Sequence, residues 1–264
     1  MTEKEFIFDP HNKVDHIYGY YMFFGSILSF VFLDIVVTKI GPPKNVKGDP
    51  WRWNNLFISW IHAAICGTWD ILCLYFYPEM LDDLVHHINY FTYLMIAFST
   101  GYFVYDFLDL LYNGRIVSNW EVTLHHIAIA FMGAYHLQKK MCIAYNLIAL
   151  LPEVNSIFLH ARKLLKGGNP DIYHVVLVLN ILTFIFFRFI PISRVLYGLF
   201  TDYHLVPRLY MQCLSAASVV LTTVNIGLFI RLARTDYRYF RSLKQKEKPF
   251  VKQVVNGNNN EKLE

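Results

Sequence analysis

The stretch GYFVYDFLDLLYNGRIVSNWEVTLHH, residues 101–126, decides how this chain folds. Two apolar segments flank the turn signal Asn113-Gly114-Arg115, and each carries ionisable groups at helical spacing. Asp106 and Asp109 stand at i,i+3 on the first segment, and Glu121 and His125 at i,i+4 on the second, with His126 about 100° around the helix. The apolar runs on either side are of membrane-spanning length. A charged side chain at the bilayer centre costs roughly 2.5–3.5 kcal/mol even on the lenient insertion scale, so these groups should face a protein interior. The short turn makes the two helices antiparallel neighbours, which turns the two patches into halves of one site.

Composition agrees with a membrane setting. Of 264 residues, 55% are hydrophobic, 17% aromatic and only 17% charged, with a mean hydropathy of +0.32, a poor fit to a water-soluble globule. Seven stretches approach the ~20 residues that cross a bilayer: near 17–38, 54–77, 90–112, 119–137, 142–163, 173–198 and 209–231. The expectation is an all-α, polytopic membrane protein with about seven transmembrane helices. Pro191 should kink or end the sixth, because it lacks a backbone donor. The domain plan has a polar segment at 1–16, a first helix and loop at 17–48, a main domain at 49–235, and a basic tail at 236–264 with nothing to bury, expected to be disordered. The apolar run that follows the polar start is longer than a signal-peptide core and reads as a membrane helix.

Basic residues alternate from loop to loop. Lys39, Lys44, Lys47 and Arg52 follow the first helix, Arg115 the third, and Arg162, Lys163 and Lys166 the fifth, whereas Glu79, Asp82 and Asp83 mark the second loop. By the positive-inside rule the N-terminus is outside or lumenal and the C-terminus cytosolic. The formal charge of +4 is concentrated after residue 230, beside a last membrane helix, which fits anionic lipid headgroups and not nucleic acid. Cys66, Cys73, Cys142 and Cys213 lie in apolar runs without CxxC spacing, so neither a disulfide framework nor a zinc site is expected.

With that topology Asp106, Asp109, Glu121, His125 and His126 share the cytosolic half of the membrane, together with His62 and His160, and Glu153 is nearer the middle. They should line a polar chamber. Imidazole titrates near neutral pH and a carboxylate can fix its tautomer, so His125, His126, Asp106 and Glu153 are the candidate catalytic groups, with Asp109, Glu121, His62 and His160 as chamber lining. The rival reading is that the same groups only hold helices together through polar contacts. Asp70 and Arg188 remain in the outer half, where they are expected to pair. No metal is expected: the adjacent pairs His86-His87 and His125-His126 lack a third ligand at suitable spacing.

Trp120-Glu121-x3-His125-His126, followed by Pro152-Glu153-x2-Ser156-x3-His160, resembles the TLC domain shared by TRAM, Lag and CLN proteins, whose best-known enzymes are the ceramide synthases. In those enzymes a His pair is followed by His-Asp, a second Asp and Leu-Glu. Here Pro152, Ser156 and His160 stand in place of the His, the second Asp and the Glu, and Glu153 in place of the first Asp. The chain is more similar still to the TLC domain-containing protein 1 and 2 branch, through Trp51-Arg52-Trp53-Asn54-Asn55, Gly67-x-Trp69, Pro78-Glu79-Met80-Leu81, the Gly101 to Asp109 stretch and Glu153-Val154. That resemblance implies a multi-pass plasma-membrane protein, the endoplasmic reticulum being the alternative site. It implies regulation of phospholipid acyl composition and membrane fluidity, limiting incorporation of polyunsaturated fatty acids. An acyl-CoA-dependent lipid acyltransferase using the His pair is the enzymatic alternative, and a channel modulator or lipid chaperone the non-enzymatic one. The expected partners are membrane lipids, fatty acyl chains or acyl-CoA as substrate, with no resident cofactor.

Overall fold

The computed structural model describes residues 14–260 except 45 and 47, and of the side chains all but those of 243, 244 and 246–260. All regular elements among the described residues are helical. The α-helices are α1 (His16–Ile40), α2 (Pro50–Phe76), α3 (Tyr90–Tyr112), α4 (Trp120–Lys139), α5 (Ile143–Leu150), α6 (Pro152–Leu164), α7 (Pro170–Phe184), α8 (Ile190–Thr201) and α9 (Arg208–Asn260), with 3-10 turns at Pro78–Leu81 and Tyr203–Leu205. Most of the polar segment expected at 1–16 lies outside the described residues. The tail expected at 236–264 begins within α9, and its last residues, 261–264, lie outside them too.

Among the described residues, six helical stretches are long and apolar enough to cross a membrane: α1, α2, α3, α5 with α6, α7 with α8, and residues 208–242 of α9. Helix α4 is more polar but has 20 residues, about 30 Å at 1.5 Å per residue. It also traverses the same depth as α3. Its start joins the end of α3 through the turn at Gly114 (φ 64°). Its far end meets the other end of the same bundle, where Leu137 accepts a hydrogen bond from the Tyr93 hydroxyl (3.0 Å) and Gln138 one from Tyr20 (2.5 Å). The seventh span is therefore the one whose polar groups lower its hydropathy.

The described residues form two compact units, one ending at Thr222 and the other starting at Thr223. Within the first unit, α1 packs along α3, α2 along α6, and α3 along α4. Two glycines permit close approach of one helix to the backbone of another. A Cβ on Gly101 would come 2.5 Å from the Phe23 carbonyl oxygen on α1, and one on Gly67 would come 3.0 Å from the Val154 backbone on α6. Outward faces stay apolar, as with Phe24, Leu28 and Phe32 on α1, which are 59%, 68% and 68% exposed. That is where lipid would lie.

Prolines interrupt two spans. Pro152 cannot donate to the turn before it, so the run expected at 142–163 is two helices, with Glu153 in the first turn of the second. Pro191 is preceded by a π-helical turn, Ile185–Phe189, which absorbs its missing donor and carries Arg188.

Candidate functional site

The site begins at the start of α2. Asp49 caps that helix by accepting from the Trp51 backbone N–H (3.1 Å), and its other oxygen pairs with Arg115 at 2.7 Å. The Arg115 guanidinium lies 4.9 Å over the Trp51 ring. Trp51 and Asn55, one helical turn apart, then reach α3. Trp51 Nε1 donates to Asp109 Oδ2 (3.0 Å), and Asn55 Nδ2 donates to Asp106 Oδ1 (2.8 Å) and Asp109 Oδ2 (3.2 Å). Asn113 Nδ2 donates to Asp109 Oδ1 (2.8 Å). Both carboxylates are thus oriented by neutral donors.

The second oxygen of Asp106 faces α4. His126 Nδ1 lies 2.7 Å from Asp106 Oδ2, with side-chain exposures of 12% and 3%. The carboxylate sits off the axis of the ring N–H, so this is a close polar contact short of an aligned hydrogen bond. Phe103 and Tyr102 lie beside the imidazole, with ring centroids 5.1 Å and 6.5 Å away, and His125 stands 5.5 Å from it.

Deeper in the membrane, α2 and α6 supply the next layer. His62 is buried flat against Tyr102 (centroids 3.6 Å apart, planes at 12°). Its Nδ1 is 3.9 Å from Glu153 Oε2, and its Nε2 meets Ser99 Oγ at 3.3 Å and Cys66 Sγ at 3.1 Å. The Arg188 guanidinium and the His126 imidazole lie within electrostatic reach of Glu153 and of His160. The N-terminus of α6 adds a favourable dipole for the Glu153 carboxylate.

Arg188 is where expectation and structure part. It does not pair with Asp70. The π turn directs it to α6, where Nε donates to Asn155 Oδ1 (2.6 Å) and Nη2 to Ser156 Oγ (3.0 Å), with the guanidinium 5.1 Å over Phe184. Asp70 stays on α2 with neither oxygen hydrogen-bonded among the described residues.

The four groups singled out for acid/base work, His125, His126, Asp106 and Glu153, therefore meet in one interior cluster with His62 and His160. Asp109 lies at its mouth. Glu121 is half-buried one turn before His125. Trp51, Asn55, Ser156 and Arg188 complete the arrangement and were not among those candidates. The signal for Trp51 and Asn55 was in the sequence, since their i,i+4 spacing continues through Ser59 toward His62 on one face of α2.

Residues 52–234 match the TLC domain, well over half of the chain. The chain belongs to the TLC domain family. TLC domain-containing protein 2 of Danio rerio is 31% identical over 232 residues, which cover 84% of this chain and 94% of that protein. TLC domain-containing protein 1 of Mus musculus is 32% identical over 232 residues, 85% of this chain and 92% of that protein. For TLC domain-containing protein 1 of Homo sapiens the values are 30%, 221 residues, 81% and 88%. The TLC match runs through Asn55, His62, Asp106, His126, Glu153 and Arg188, so the whole interior cluster belongs to the domain. Where the ceramide-synthase pattern has a second Asp, this TLC domain has Ser156, which accepts from Arg188.

Proposed function

We propose that this TLC protein sets the acyl composition of membrane phospholipids, limiting polyunsaturated chains, by transferring an acyl group from acyl-CoA to a lipid acceptor in its interior cluster. The observation that carries the reading is the His126–Asp106 contact at 2.7 Å inside a membrane bundle. An imidazole with a carboxylate at Nδ1 has Nε2 free to take a proton. In this mechanism Nε2 of His126 accepts the proton of an acceptor hydroxyl or amine as that atom attacks the thioester carbonyl. The C–S bond breaks, and the departing thiolate recovers the proton from the imidazolium. Asp106 holds the imidazolium, and Arg188 faces the carbonyl oxygen that becomes negative. The aromatic and aliphatic side chains around the cluster would hold the acyl chain.

We place the protein in the plasma membrane with its C-terminus in the cytosol, which puts Asp109 and Arg115 at the side from which acyl-CoA arrives. Purified protein in lipid nanodiscs, given labelled acyl-CoA and candidate acceptors, tests the chemistry. Labelled lipid should form with wild type and drop with His126→Gln. No label in lipid from wild type, together with altered phospholipid composition in cells lacking the protein, would leave the regulatory role and remove the enzymatic one.

A further inference from the structure

A cavity of about 40 Å³ lies where α4, α5, α8 and α9 converge, and neither His125 nor His126 borders it. Ile129, Met132 and His136 line it at i, i+3 and i+7 of α4, and Leu214, Ala217, Ser218 and Leu221 at i, i+3, i+4 and i+7 of α9, so each helix gives one face. The walls are mainly apolar, and no Asp, Glu, Lys or Arg is among them. Two polar side chains in this lining have an atom left over. His136, 2% exposed, is held by Tyr210, whose hydroxyl meets Nε2 at 2.7 Å, and its Nδ1 has no hydrogen-bond partner among the described residues. Ser218, 5% exposed, has a hydroxyl without a partner among them either. Tyr145 and Asn146 border the cavity from α5, the Tyr145 hydroxyl being donated to Asp202. Ile129 is about 10 Å from His136 along α4, and Ser218 about 12 Å from Tyr210 along α9. The cavity is therefore elongated, with the imidazole at one end and the serine at the other. Water is a poor occupant of its middle, since a buried water needs about two to four polar partners.

We propose that this cavity binds a neutral straight-chain alcohol, the hydroxyl end of a single-chain lipid, with the hydroxyl on His136 Nδ1 and the chain running toward Ser218. A hydroxyl suits the imidazole in either tautomer, because it accepts from an N–H and donates to a bare ring nitrogen, whereas a carboxylate only accepts. A carboxylate would also lack a counter-charge, since no cation lines the cavity. The narrow, elongated space takes one hydrocarbon chain and no ring system. Met132, unbranched and adaptable, lets the chain pass along α4. The site goes beyond acyl transfer, because it uses neither the His126–Asp106 contact nor a thioester.

Photolabelling of the full chain in nanodiscs tests the assignment, with a straight-chain alcohol that carries a diazirine close to its hydroxyl. Label is expected on Met132 and on residues 214–221 of α9. Unlabelled alcohol of the same length should displace it, and the matching alkane about tenfold more weakly, for want of one hydrogen bond. The matching carboxylate should not compete. Ala217→Leu fills the middle of the cavity and should abolish the label with the protein still folded. His136→Leu should weaken labelling about tenfold for the same hydrogen bond. That variant also takes a partner from Tyr210, so melting curves accompany both, and Ala217→Leu decides the matter should His136→Leu fold poorly. Equal displacement by alcohol and carboxylate would overturn the recognition of a hydroxyl. No label, label confined to outward residues such as Phe24 and Phe32, or label unchanged in Ala217→Leu would overturn the site.

Discussion

His126 on α4 and Asp106 on α3 meet at 2.7 Å because a short turn holds their helices antiparallel in one register. Asn55 on α2 donates to the other oxygen of Asp106 at 2.8 Å, so the carboxylate cannot swing away from the ring. Asp106→Asn keeps the shape and the bond to Asn55 but removes the charge that would support an imidazolium. Acyl transfer measured with labelled acyl-CoA should fall about 10²- to 10⁴-fold, the usual contribution of general base catalysis. Melting should stay close to wild type. A large loss of stability with unchanged turnover per folded molecule would mean that the contact only holds α3 to α4.

Asn55→Leu tests the second layer of support. The substitution leaves Asp106 Oδ1 without its donor and Asp109 Oδ2 with only Trp51, inside a bundle where water is scarce. A buried acceptor left unsatisfied costs about 1–3 kcal/mol, so thermal unfolding should shift by that amount. Asn55→Gln, which retains a donor, should recover part of it. Equal melting of Asn55→Leu and wild type would show that solvent already reaches these carboxylates.

Much of this was legible in the chain. The 101–126 stretch placed Asp106 and His126 on facing helices, since i,i+3 spacing and a short turn leave little freedom. Glu153 and His62 were readable as interior groups from their depth alone. What could not be read was the destination of Arg188. Depth paired it with Asp70, but rotation about the helix decided otherwise, and that rotation is set by the π turn before Pro191. Periodicity arguments assume 3.6 residues per turn, and a π turn breaks the assumption locally. Asn55 was visible only as part of a tryptophan-rich motif, because its partners lie 51 and 54 residues away on α3.

Two glycines that look alike in sequence should behave oppositely. At Gly67 a methyl group would lie 3.0 Å from backbone atoms of Val154, which cannot rotate aside, so Gly67→Ala must push α6 and Glu153 from α2. Overpacking of this kind costs about 1–3 kcal/mol, only partly offset by alanine's better helix propensity. At Gly25 a Cβ would meet nothing within 4 Å, so Gly25→Ala should be neutral or stabilising by up to about 1 kcal/mol. Paired melting curves check the contrast. Activity should fall with Gly67→Ala alone.

The loop before α3 carries a pH dependence of its own. Partial burial pushes the Asp83 carboxyl up, but the His86 backbone N–H, the His86 ring and the Val85 N–H outweigh it and hold the group below its ordinary value. A depressed carboxylate contributes stability above the unfolded-state value of about 3.9 and loses it as pH falls through the folded one. Amide exchange at Val85 and His86 should therefore be slower in wild type than in Asp83→Asn at neutral pH. The two should converge in acid. A difference that persists at low pH would point to packing of the loop and not to this charge.

Arg188 is a buried cation, 6% exposed, whose fork is taken up by Asn155 and Ser156 and whose charge faces Glu153. Arg188→Met keeps the length and removes the charge together with the donors to Asn155 and Ser156. A buried acceptor left unsatisfied costs about 1–3 kcal/mol, which sets the expected loss. Glu153→Gln keeps the shape and removes the carboxylate charge within electrostatic reach of Arg188. Together, Arg188→Met and Glu153→Gln remove both charges and should cost less than the sum of the single changes, by about 1–3 kcal/mol. The four proteins melted side by side give that coupling directly. Single effects that simply add would mean that Arg188 is held by Asn155, Ser156 and Phe184 alone, and that Glu153 is compensated from the histidine side of the cluster.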